Sequence, residues 1–90
     1  MDIITMQPQT SSNILSIGYD AAREILFAQF VKTSETIYCF YDVPEQVKVE
    51  LLESNSVGSA FHKLIKGRFE TESYSIEECE EFHGIVVELV

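Results

Sequence analysis

The sequence predicts an α+β fold: a three-stranded antiparallel β-meander, then two helices packed on it, then an acidic C-terminal helix–strand extension. Three observations carry this. Runs rich in β-branched and aromatic residues, separated by short polar turns, fill positions 14–41. After Asp42 the apolar residues switch to helical spacing. Charge is divided unevenly: residues 1–69 hold six basic and eight acidic side chains, whereas 70–90 hold seven acidic and none basic.

In chain order, residues 1–10 mix a short apolar pair with Gln, Pro and Thr and are expected to form a flexible N-terminal arm. Ser11-Ser12-Asn13 leads into a first strand over 14–19, and Asp20 to Arg23 make the turn. Glu24 to Val31 form the second strand, with Ile25, Phe27 and Val31 on one face and Leu26, Ala28 and Phe30 on the other. Lys32-Thr33-Ser34 is a turn of hairpin length. Thr36 to Tyr41 form the third strand, with Tyr38 and Phe40 on one face and Ile37, Cys39 and Tyr41 on the other. Large apolar groups on both faces predict a central strand covered on both sides.

Asp42 is expected to cap the first helix, with Glu45 completing a capping box and Pro44 in the first turn. Val43, Val47, Leu51 and Leu52 then form its apolar stripe, with Glu45, Lys48, Glu50 and Glu53 on the wet side. A second helix follows over 57–66, capped by Ser56 and stopped by Gly67, and it buries Val57, Phe61, Leu64 and Ile65. Gly58 inside it points to close approach of the first helix or the sheet. Arg68 to Ser73 is a connector. Ser75 and Glu78 form a further capping box, opening a helix with Ile76, Cys79 and Phe82 or His83 on one side. Gly84 stops it. Residues 85–90 read as a strand placed to extend an edge of the meander or, left unpaired, to join two copies in a homodimer.

Ninety residues make one domain, and a hydrophobic fraction of 46% excludes a disordered chain. No apolar run approaches the ~20 residues of a membrane span, and the N-terminus lacks the basic and apolar regions of a signal peptide. Two cysteines without a pairing pattern, Cys39 and Cys79, fit a reduced, cytoplasmic protein.

An ordered set of short motifs runs through the middle of the chain. Ile17-Gly18-Tyr19-Asp20 comes first, then Leu26 and Phe30, Tyr38 and Phe40, and Asp42-Val43-Pro44. Ser56, Gly58 and Phe61 follow, then Ile65-Lys66. This set resembles the KTSC domain, named for its occurrence at the C-terminus of some lysyl-tRNA synthetases and found also as small bacterial and phage proteins. The resemblance covers 11–69 and leaves the acidic segment 70–90 outside as an extension. It implies a small module without a settled activity, and RNA binding by association with the synthetase. The family's central Tyr-x-Tyr is here Tyr38-Cys39-Phe40, which removes one hydroxyl and leaves stacking available.

Nucleic-acid binding needs cations for phosphates and rings for bases. His62, Lys63, Lys66 and Arg68 form a small basic cluster at the end of the second helix, with Tyr38 and Phe40 as candidate rings. The alternative is a solvated face complementing the helix C-terminus, with the rings in the core. A net charge of −9 repels a polyanion at long range unless the acidic segment folds away. That segment supports the second reading, a protein-interaction or inhibitory module of phage type that mimics a nucleic-acid backbone. Its partner-facing residues would be Glu70, Glu72, Glu77, Glu78, Glu80 and Glu81. A third arrangement lays the segment across Lys63–Arg68 and screens it. Cys79 and His83 are four positions apart, but the short paired spacings of a zinc site are missing, so neither metal nor cofactor is expected. There is no Gly-rich phosphate loop and no recognisable nucleophile–base pattern, so the chain reads as non-catalytic.

Overall fold

The computed structural model describes residues 2–83 and 85–89, with side chains described for 3–79 and 81. Strands β1 (Asp2–Pro8), β2 (Ile14–Asp20), β3 (Ile25–Phe30) and β4 (Thr33–Phe40) come first. Helices α1 (Glu45–Glu53) and α2 (Val57–Leu64) follow, then β5 (Thr71–Ser75), α3 (Ile76–His83) and β6 (Ile85–Leu89). The strands form a single sheet in the order β5-β4-β3-β2-β1-β6. Five strands are antiparallel, and β6 runs parallel to β1 from Asp2↔Ile85 to Met6↔Leu89.

The expected meander β2-β3-β4 is therefore the centre of a wider sheet. Asp2 to Pro8, expected within a flexible arm, form strand β1. Ile4 and Met6 alternate inward from β1 and are buried, while Ile3 and Thr5 face out. Thr71 to Ser75, expected as part of a connector and cap, pair with Phe40 to Thr36. The last strand extends β1, not the meander.

Strand alternation gives the sheet two cores. Leu26, Ala28 and Phe40 face α1 and α2, which bring Leu51, Phe61 and Ile65. Phe27, Ile37 and Cys39 face the other way, where Ile76 and Cys79 of α3 close over them. The acidic helix is thus part of the fold. It lies on the opposite face from α2, so it does not lie across Lys63–Arg68.

With almost no linker, α3 joins one edge of the sheet to the other. Six flat strands would span about 24 Å, and a helix of eight residues is about 12 Å long. The sheet must curl around α3. Gly18 permits that curl: a Cβ there would lie 2.7 Å from Met6 Sδ and 2.9 Å from Ile4 Cγ2.

The helix starts differ from expectation at one place. Ser56 caps α2 by accepting from the Ser59 N–H, and Gly67 follows the helix with φ +75°. Ser75 and Glu78 form the reciprocal box at α3: the Ser75 N–H donates to Glu78 Oε1 at 2.8 Å and the Glu78 N–H to Ser75 Oγ at 3.1 Å. Gly84, expected as the stop of α3, lies outside the described residues. Asp42, however, does not cap α1. It sits in the left-handed region at φ 58°, and Pro44 occupies the cap position without a side-chain bond. The chain turns sharply there because Val43 is clamped. Its N–H donates to the Glu24 carbonyl at 2.8 Å, and its carbonyl accepts from the Tyr19 hydroxyl at 2.6 Å.

Candidate functional site

Two register shifts fall at one end of the sheet, between Ile14 and Ser16 in β2 and between Gln29 and Phe30 in β3. The first lets Ile14 and Ile17 point to the same face, which strict alternation forbids. Above that end, α2 is anchored by Phe61. Its ring meets Phe30 edge-on at 5.5 Å and Phe40 at 5.3 Å, and Phe30 meets Tyr38 at 5.2 Å.

Beside this aromatic cluster lies a cleft of about 570 Å³. Phe30, Tyr38, Phe40 and Phe61 line its interior, Lys32 and Lys66 supply its cations, and His62 adds an imidazole. Asn13, Thr33 and Thr71 add polar edges, and among the described residues no carboxylate lines it. A second, polar depression of about 470 Å³ shares Asn13, Gly58 and His62 with it and continues over Ser11, Ser12 and Ser56. Together they make one groove across α2, apolar and cationic at one end and hydroxyl-rich at the other. Gly58 lies where the groove crosses the helix; a Cβ there would be 3.2 Å from Ser11 Oγ. The close approach is to the loop before β2, not to α1 or the sheet.

Of the residues expected to bind nucleic acid, Tyr38, Phe40, His62 and Lys66 meet in the cleft. Lys63 and Arg68 do not. Lys63 borders a depression between α1 and α2 with Glu50 and Ser54, and Arg68 Nε donates to the Lys63 carbonyl at 2.7 Å, satisfying the end of α2. Phe40 is buried at 5% exposure, so it is wall more than platform, while Tyr38 is half-buried. Sequence reasoning missed Lys32, Phe30 and Asn13. Their signal was present: Lys32 follows Phe30 by two positions in the turn entering the aromatic strand.

The acidic residues divide as well. Glu77, Glu78 and Glu81 are exposed on α3, and Glu70 is exposed before β5. Glu72 accepts hydrogen bonds from the tyrosines beside it. Burial first, and then the bond to Glu72, push the Tyr41 and Tyr74 hydroxyls above the ordinary phenol range. The Glu80, Phe82 and His83 side chains lie outside the described residues. Among the described residues, no three His, Cys, Asp or Glu side chains converge as metal ligands, and no helix is long and apolar enough to cross a membrane.

Fold and groove together define a small α+β domain, a curled sheet with helices on both faces and a cation-rimmed aromatic cleft at one end. The KTSC domain profile matches residues 10–69, and the chain belongs to the KTSC domain family. A protein of Tsukamurella paurometabola is 41% identical over 64 residues, 71% of this chain and 92% of that one. A lysine–tRNA ligase of Trichormus variabilis is 39% identical over 64 residues, which are 71% of this chain and 11% of the ligase. The crystal structure of a KTSC domain protein from Yersinia pestis superposes with a TM-score of 0.75 at 35% identity, covering 80% of this chain and 99% of that one. The clamp on Val43 gives the resemblance a physical basis: Tyr19 of the Ile-Gly-Tyr-Asp motif holds the middle residue of Asp-Val-Pro.

Proposed function

We propose that this protein is a non-catalytic binding module that takes single-stranded RNA in the groove across α2. The observation that carries the reading is the cleft, which Lys32, His62 and Lys66 line together with the rings of Tyr38 and Phe40, with no carboxylate among the described lining residues. A space of about 570 Å³ suits an unstacked base and its sugar, not a duplex. Cations at the rim suit phosphates, and the Ser/Asn end of the groove offers donors to the next phosphate or ribose. The lysine–tRNA ligase relative supports an RNA context. With the acidic helix on the far face, the net charge of −9 opposes approach at long range but does not fill the cleft.

The test is fluorescence anisotropy with a short labelled oligoribonucleotide and its duplex as control. Saturable single-strand binding is expected, with log affinity falling by about 1.4 per decade of salt if two phosphates are neutralised. Lys32→Glu with Lys66→Glu should weaken it tenfold or more. Equal affinity of this variant and the wild type would end the reading.

A second reading rests on the exposed Glu77, Glu78 and Glu81 of α3: an acidic face docking on a basic protein surface. Changing all three to Gln separates the two. It should strengthen RNA binding through the long-range field, and it should abolish an interaction that uses α3.

A further inference from the structure

Cys39 and Cys79 are 40 positions apart in sequence, yet their sulfurs lie 3.9 Å apart between β4 and α3. Neither side chain is exposed, and apolar groups such as Phe27, Ile37 and Ile76 surround them. A disulfide would require the sulfurs to close by about 1.9 Å, to a bond of about 2.0 Å. Cys39 also stands between Tyr38 and Phe40, so its side chain leaves the strand on the side opposite the cleft.

We infer that Cys39 and Cys79 form an oxidation site, a thiol pair that a hydroperoxide converts to an intramolecular disulfide fastening α3 to the back of the strand that lines the cleft. The inference stands apart from the RNA reading, since it uses neither the cleft residues nor a ligand.

The chemistry is balanced by the peroxide alone. The Cys79 thiolate attacks one peroxide oxygen, the O–O bond breaks, and hydroxide (with hydrogen peroxide) or an alkoxide leaves to take up a proton. The resulting Cys79 sulfenic acid is attacked by the Cys39 sulfur. The S–S bond forms, the S–O bond breaks, and water leaves with the Cys39 proton. Two electrons pass from the sulfur pair to the peroxide. The thiols titrate as a pair. A thiolate at Cys79 accepts from the Cys39 S–H, which lowers Cys79, while the same bond and burial hold Cys39 well above the ordinary thiol range.

Burial sets the rate. Peroxide reaches the pair when α3 opens, and α3 is poorly secured on its own: it has eight residues, and Glu77 and Glu81 repel across one turn. Oxidation is therefore expected to be slower than that of an exposed thiol. Once made, the bond closes a long loop and restrains the unfolded chain.

The experiment treats the reduced full-length protein with hydrogen peroxide and follows intact mass, thiol count after denaturation, and Tm. Expected are a loss of about 2 Da, simultaneous loss of both thiols and a peptide linking Cys39 to Cys79. Tm should rise by roughly 10 °C or more and fall back on reduction. Cys39→Ala and Cys79→Ala should each show no peroxide-dependent rise. Because either alanine leaves a cavity in the core, the linked wild-type peptide is the deciding readout. Oxygen addition without a link, cross-linked dimers, or thiols that stay reduced in the folded protein while oxidising in the denatured one would each overturn the proposal.

Discussion

Gly18 stands in the middle of β2, where a side chain has nowhere to go. A methyl group there would press on Met6, Ile4 and the Thr5 carbonyl at 2.7, 2.9 and 3.3 Å. Met6 and Ile4 are themselves buried, so neither can swing clear into solvent. Gly18→Ala is expected to lower stability by about 1–3 kcal/mol, read as a fall in the urea midpoint at unchanged slope. A midpoint equal to the wild type would mean that β1 yields instead. The two residues that follow each make a specific bond. Tyr19 reaches Val43, and Asp20 Oδ1 accepts from the Ala22 and Arg23 N–H groups at 3.1 and 3.3 Å to shape the turn. The motif was legible as letters, and so was the local turn at Asp20, but the reasons for Gly18 and Tyr19 lie in partners distant in sequence.

Elements whose stabilising bonds are local were the ones the sequence disclosed. Both ends of the Ser75–Glu78 box lie within four residues, so its pattern is visible without tertiary knowledge. Asp42 and Glu45 have the same spacing and fail to form one, because the Val43 clamp holds Asp42 at φ 58°. The two sites should respond differently. Ser75→Ala is expected to destabilise by about 0.5–2 kcal/mol by the loss of the cap. Asp42→Gly should be close to neutral, since glycine adopts that angle freely. Equal losses in chemical denaturation would return the capping role to Asp42. β5 was invisible for a related reason: Thr71-Glu72-Ser73-Tyr74-Ser75 has no apolar alternation, and its place comes from backbone pairing with β4. β1 did carry a signal in Ile4 and Met6, but two inward residues beside Gln7-Pro8 are too few to outweigh a terminal arm.

At the scale of the molecule, charge and packing do not share a boundary. The composition changes after residue 69 and the family match ends at that same position, which suggests an appendage. The physical unit continues through α3, because Ile76 and Cys79 complete the core over Phe27, Ile37 and Cys39. The cleft lysines and the acidic helix α3 occupy opposite faces of one sheet, although α1, on the face of the cleft, also exposes Glu45, Glu50 and Glu53. Because α3 is part of the core, removal of the C-terminal segment is a poor way to test charge. A chain shortened after Ser75 keeps β5 and the cleft residue Thr71 but uncovers the Ile37 face of the sheet. Removing the burial of Ile76 and Cys79 should by itself lower stability by about 2–5 kcal/mol, with self-association through the bared face. The Glu77, Glu78 and Glu81 to Gln variant removes three charges and leaves that packing in place, and a glutamine substituted for Glu78 can still serve the capping box. Its unfolding free energy should stay within about 0.5 kcal/mol of the wild type. Analytical ultracentrifugation and urea unfolding of the two proteins side by side check this. A shortened chain as stable and monomeric as the full one would show that the helix rests on the sheet without holding it together.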